Sequence, residues 1–190
     1  MLLGVSLGTE TKRKVLHIFS GAVFLGLLLL LGRTKLAALL IAVLLGGLLI
    51  INQLMQGRKL PITGWFLGNF ERPKVRFPGY ATAWYVSGLL IAATALHNQG
   101  EIAAVFCALA FGDGMSAIFG ERGKLRLPYN KEKTLEGMGA FFLGALAALP
   151  FVGWIAVPFA LVAAVFESLP LGIDDNFTVP IFGVAFFLAF

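Results

Sequence analysis

The sequence predicts an all-α fold, a polytopic membrane bundle of about seven transmembrane helices with its N-terminus on the cytoplasmic side. Of 190 residues, 58% are hydrophobic and only 13% charged, and the apolar residues gather in runs approaching the roughly 20 that span a bilayer. Short polar turns and two long basic segments separate the runs. If successive runs alternate in direction, 15 Lys and Arg sort so that only Arg33 and Lys35 fall on the opposite side. The positive-inside rule then places the basic side in the cytoplasm.

The first run covers residues 15–31, entered through Thr11-Lys12-Arg13-Lys14 with His17 one turn inside. Lacking a small-residue cleavage site and followed by further runs, it is expected to stay as a permanent helix. A tight Gly32-Arg33-Thr34-Lys35 turn leads to a second run, 36–51, which breaks at Asn52-Gln53. The mixed segment that follows holds Arg58, Lys59, Glu71, Arg72, Lys74 and Arg76, and its Trp65, Phe66 and Phe70 suggest a stretch lying at the headgroup level. The third run starts after Pro78-Gly79 and ends near Leu96, and His97-Asn98-Gln99-Gly100 turns the chain into a fourth, 102–120. A fifth run, 135–149, precedes a turn at 150–153. The sixth covers 154–169, and the last, from Phe177 to Phe190, is short for a full crossing. With no internal repeat or soluble insert, residues 1–190 read as one integral-membrane domain.

The formal charge of +5 does not point to nucleic acid, because the cations sit in loops between apolar runs. Cys107, the one cysteine, lies mid-run between Phe106 and Ala108, which excludes an intramolecular disulfide and reads as a buried, inert thiol.

The informative stretch is Phe111 to Gly137. Asp113 falls inside the fourth run, where a carboxylate costs roughly 2.5–3.5 kcal/mol or more and marks function by default. Gly112 and Gly114 flank it and let a backbone or ligand come close. A basic loop follows with Arg122, Lys124, Arg126, Lys131 and Lys133, then Lys133-Thr134-x-Glu136-Gly137 at the mouth of the fifth run. Thr134 and Glu136 suit a helix start, and a lysine beside a hydroxyl at a helix N-terminus also suits an anion. Asp174, Asp175 and Asn176, expected on the same side as Asp113, are good donors for a hard metal. His17 reads equally as a helix-end histidine or a ligand contact. Gly137, Gly139, Ala140 and Gly144 allow either close helix packing or a lateral slot for a lipid chain.

Four blocks in this order carry a resemblance: Arg13-Lys14-x-x-His17, Gly112-Asp113-x-x-x-Ala117-x-x-Gly120, Lys133-Thr134-x-Glu136-Gly137, and Glu167-x-Leu169-x-x-Gly172-x-Asp174-Asp175-Asn176-x-x-Val179-Pro180. Together they resemble the CTP-dependent lipid-alcohol kinases, the family of dolichol kinase, phytol kinase and a fungal-type diacylglycerol kinase. Without the extra N-terminal spans of dolichol kinases, the chain is similar to a compact, prokaryotic-like member. The resemblance implies transfer of the terminal phosphate of a nucleoside triphosphate, usually CTP, to a membrane lipid alcohol at the cytoplasmic face, with Mg²⁺ as cofactor. It implies metal binding by Asp113 and Asp175, with Glu136, Asp174 and Asn176 as further candidates. Arg13, Lys14, Lys124, Lys131, Lys133 and Thr134 are expected to contact phosphates, and Asp113 or His17 to take the hydroxyl proton. Gly137, Gly139 and Gly144 are the expected lipid slot. Homo-oligomer formation is left open. Two other readings stay open beside this one: a CTP-dependent lipid cytidylyltransferase, whose C-terminal metal block the chain lacks, and a proton- or cation-coupled transporter using Asp113.

Overall fold

A straight helix of 47 residues would reach about 70 Å at ~1.5 Å per residue, more than twice the ~30 Å hydrocarbon core. In the computed structural model, α1 (Thr9–Met55) avoids this by breaking at Gly32, where φ is 73° and ψ 169°. Only glycine takes that conformation without strain. The second arm returns beside the first, so that Phe24 and Val43 line the same cavity. Arg33, in the turn, donates to the Leu96 carbonyl at 3.0 Å and so satisfies the end of α3 (Tyr80–Ala95). The structure describes residues 9–58, 60–71 and 75–190. Lys59, Arg72 and Lys74, which entered the cation argument, lie outside them.

Between these helices, α2 (Pro61–Phe70) starts on a proline and carries Ile62 and Trp65 on its exposed face. The centre of the bundle is the continuous stretch Gln99–Arg122, 72% buried along its most apolar window against 11% for α1. It begins as α4 (Gln99–Cys107), capped by the Asn98 side chain on the Gly100 amide, widens into a π-turn over Ala108–Gly112, and resumes as α5 (Asp113–Arg122). Its Ala and Gly residues admit neighbours closely. A Cβ built on Gly144 would lie 2.5 Å from the Phe111 carbonyl oxygen, and one on Gly183 would lie 2.8 Å from Val105.

The next helical stretch, Leu135–Glu167, contains α6 (Leu135–Ala145), the single turn α7 (Leu149–Val152) and α8 (Ala156–Glu167), with a break at Gly153, φ 61°. The last helix, α9 (Asp175–Ala189), packs on α3. Large apolar side chains cover the outside, with Leu30, Trp154 and Phe190 more than four-fifths exposed, as a surface solvated by lipid requires.

Among the described residues, Thr11–Met55, Gln99–Arg122 and Leu135–Glu167 are long and apolar enough to cross a membrane, and Tyr80–Ala95 and Asp175–Ala189 are apolar but shorter. The expected count of seven separate crossings is not reached by this criterion. Where the sequence suggested turns at 32–35 and 150–153, single-glycine breaks interrupt otherwise continuous helix. The basic loop also departs from irregular structure. Arg126 and Thr134 form an isolated antiparallel bridge, and Leu127 N–H donates to the Lys133 carbonyl at 3.1 Å.

Candidate active site

The polar residues of four distant chain segments meet at one end of the bundle. From α1, Lys14 donates to Asp113 Oδ2 at 2.7 Å, and His17 Nε2 lies 3.3 Å from the same oxygen and 2.8 Å from the Leu109 carbonyl. That carbonyl belongs to the π-turn, where the wider helix loosens the i to i−4 ladder and leaves oxygens for side chains. The Tyr85 ring lies against the His17 ring, tilted by 53° at a centroid distance of 4.4 Å. Asp113 itself is 3% exposed, so its charge is met by protein groups rather than water.

A second ion-paired group sits next to the first. Lys133 donates to Asp175 Oδ2 at 2.8 Å and to Glu167 Oε1, which also accepts from Ser116 Oγ at 3.1 Å. Two contacts hold the Lys133 loop in place. Tyr129 Oη lies 2.7 Å from Ser168 Oγ, and the Asn130 amide donates to the Ser168 carbonyl at 2.9 Å. At the other side, Asp174 caps α9 by accepting from the Asn176 amide at 3.0 Å, which sets Asp175 on the first turn. Burial alone would lower the pKa of Lys133, but Glu167 and Asp175 outweigh it and hold the ammonium above its usual range.

Carboxylate oxygens of Asp113, Glu167 and Asp175 lie within 4.8 Å of one another. Among the described residues, Glu167 Oε2 and Asn176 Oδ1 are buried without a hydrogen-bond partner. Hard oxygen donors on three elements, with one carboxylate oxygen unmatched, form a set that could hold Mg²⁺. Asp113 and Asp175, but not Glu167, border a cavity of about 160 Å³ lined also by Arg13, Lys14, Asp174 and Asn176, with Ile173 as its apolar member. That volume is below the ~300–1,000 Å³ of sites that enclose a whole small ligand, and suits an ion and a phosphate group.

The structure therefore brings together Arg13, Lys14, His17, Asp113, Lys133, Asp174, Asp175 and Asn176. Other expected site residues are placed elsewhere. Glu136 is exposed and takes the Lys124 and Leu125 amides at 2.8 and 3.2 Å, closing the loop rather than joining the three carboxylates. The Thr134 hydroxyl is buried as the cap of α6, accepting from Gly137 N–H at 3.1 Å. The Lys124 and Lys131 side chains are exposed in the loop.

The slot expected over Gly137, Gly139 and Gly144 is not a common surface. At 100° per residue Gly137 and Gly144 share a face while Gly139 points away, and a Cβ on Gly137 would lie 3.0 Å from Gly120 Cα. The α5 backbone and the π-turn occupy the Gly137 and Gly144 face, whereas Gly139 looks into open space. The sequence places Glu167 in the fourth block without assigning it a role, and Ser116 is not singled out. Glu167 ends an apolar helix and is 2% exposed, so the argument that singled out Asp113 applied to it as well.

Near this end, Glu71 accepts from the Gly79 amide at 2.5 Å and ties the segment after α2 to the start of α3. Burial raises its pKa, and the Gly79 and Tyr80 amides act against that rise.

No family model and no solved structure matches the chain. It is 31% identical to an uncharacterized protein of Methanocaldococcus jannaschii over 94% of its own length and 92% of that protein's. It is 31% identical to a chloroplastic farnesol kinase of Arabidopsis thaliana over 88% of its length, and 30% identical to a probable chloroplastic phytol kinase of Glycine max over 90%. The chain spans 61% and 62% of the lengths of those two plant proteins. By extent and identity, the chain belongs to one family with the archaeal protein and is related to plant proteins named farnesol kinase and phytol kinase.

Proposed function

We propose that this protein is a membrane lipid-alcohol kinase that moves the terminal phosphoryl group of a nucleoside triphosphate, CTP first among them, to an isoprenoid alcohol at the cytoplasmic edge of the bilayer. One observation carries the reading. Lys14 and Lys133 sit on a cluster of three carboxylates at the end of an otherwise apolar bundle. A triphosphate stays in water and a long-chain alcohol in lipid, so their reaction needs such a polar site at the boundary. The relationship to proteins named farnesol kinase and phytol kinase supports the acceptor class.

In the transfer, the acceptor oxygen bonds to the γ-phosphorus as the bond to the β-phosphate oxygen breaks, releasing the nucleoside diphosphate. The hydroxyl proton passes to Asp113 or His17, which are 3.3 Å apart. Lys14, Lys133 and Arg13 neutralise and orient the phosphates, which is most of what phosphoryl transfer asks of a protein. Asp113, Glu167 and Asp175 would hold Mg²⁺, with Asp174 and Asn176 beside them, and the bound ion would offset charge on the phosphates. Basic residues concentrated at this end favour its facing the cytoplasm.

The test uses purified protein in vesicles with farnesol or phytol and CTP labelled at either the α or the γ phosphorus. Label in the lipid from γ-CTP alone is the expected result. Label from α-CTP would make the protein a cytidylyltransferase, and label from neither would remove the transferase reading.

A further inference from the structure

Three cavities on one side of the bundle share walls. The largest, about 490 Å³, lies between the second arm of α1, α2 and the start of α3, and is apolar apart from Thr63 and Thr82. A second, about 230 Å³, shares Val43, Phe66, Thr82 and Val86 with it and runs past Ser20, His17 and Tyr85. Through Arg13, Lys14 and Asn176, that second cavity shares walls with the small polar one at Asp113 and Asp175. Polarity thus rises in one direction, from an apolar hollow, past a hydroxyl and an imidazole, to the carboxylates and lysines.

We infer that the apolar cavity between α1, α2 and α3 holds the hydrocarbon chain of the acceptor alcohol, which extends head first past His17 and Tyr85 to Asp113. This rests on the kinase reading above and supplies it with an acceptor site, on α1, α2 and α3 rather than on α6. At about 490 Å³ the hollow is within the ~300–1,000 Å³ range of sites that hold small ligands.

Gly46 and Gly47 form part of its wall, one turn along α1 from Val43, which both cavities share. Both line the apolar cavity, and a Cβ built on either meets nothing within 4 Å. A larger side chain there enters the hollow without displacing protein, and it replaces a poor helix former with a better one. A side chain added there would take up room that the tail of a long alcohol needs.

Two measurements test this. The first is a chain-length series of geraniol, farnesol and geranylgeraniol with wild type and Gly47→Leu. The variant is expected to raise the ratio of KM for geranylgeraniol to KM for geraniol about tenfold, with its Tm kept. An unchanged ratio in a folded variant would overturn the inference. The second needs no catalysis and no variant. A prenol with a photoreactive group at its tail is irradiated with wild type in vesicles, without nucleotide, and the labelled peptides are mapped. Label within residues 43–54 or 62–67, competed by farnesol and not by phospholipid, is expected. Label on α6 or α8, or equal labelling by a photoreactive phospholipid, would overturn it. If no alcohol is phosphorylated yet the tail labels residues 43–54, the kinase reading fails and the prenol site stands. If phosphorylation occurs and the label lies elsewhere, the reverse holds.

Discussion

Lys14 Nζ and Asp113 Oδ2, 99 positions apart in the chain, lie 2.7 Å from each other, so the buried carboxylate of the central helix is answered by the entrance of the first. This changes what its removal should do. If a metal were its only partner, neutralising Asp113 would leave the fold unharmed. With Lys14 as partner, Asp113→Asn leaves an ammonium, about one-tenth exposed, without its counter-charge. We expect phosphoryl transfer to fall by about 10²-fold or more and stability by about 1–3 kcal/mol. Adding Lys14→Met should restore part of the Tm and none of the activity. A single variant with unchanged Tm would show that the pair does not hold the helices together.

Lys133 bridges Glu167 and Asp175, and Lys133→Met should strand both carboxylates. The expected loss is about 2–3 kcal/mol, below the range for a fully buried pair because Lys133 keeps some contact with solvent. The pKa of Lys133 is raised in the folded state, so its contribution is complete below the unfolded value near 10.4 and fades only as pH rises through the folded value. The Tm difference between wild type and variant should therefore be the same at pH 7 and pH 9. A difference that shrinks between those values would contradict the bridge.

Glycine substitutions on α6 should separate packing from open surface. Gly144→Ala forces a methyl against the Phe111 carbonyl and should cost about 1–3 kcal/mol. Gly139→Leu enters open space and should leave Tm and the KM for lipid alcohol unchanged. Thermal unfolding in detergent beside lipid kinetics would decide. A rise in lipid KM for Gly139→Leu would return the acceptor to α6.

Chelation should abolish transfer and added Mg²⁺ restore it. Glu167→Gln removes one carboxylate of the three and should raise the Mg²⁺ concentration for half-activity about tenfold or more. Full activity in chelator would remove the metal from the site.

The helical fold and the gathering of polar residues at one end of the bundle were legible because both depend on solvent preference. Runs of apolar residues must be helical in lipid, and a carboxylate such as Asp113 within one is conspicuous. Residues whose roles depend on packing were less visible. Thr134 and Glu136 read equally as anion and metal contacts or as a helix start, and the bridge from Arg126 to Thr134 commits them to closing the loop. The glycines of α6 signalled close approach without saying to what: Gly137 meets α5, Gly139 meets nothing, and Gly144 meets the π-turn, which the alanine-rich stretch before Asp113 does not announce. The hollow beside Gly46 and Gly47 depends on how the second arm of α1 leans over α2, a tertiary relation with no local signature.

In the proposed function the site at Asp113 phosphorylates a membrane alcohol. Its most direct test is the rate of label transfer from γ-labelled CTP to farnesol in vesicles holding wild type or Asp113→Asn, with folding of both checked by Tm. Prenyl monophosphate is expected from wild type, and at least about 10²-fold less from the variant. Equal rates from two folded proteins would contradict it.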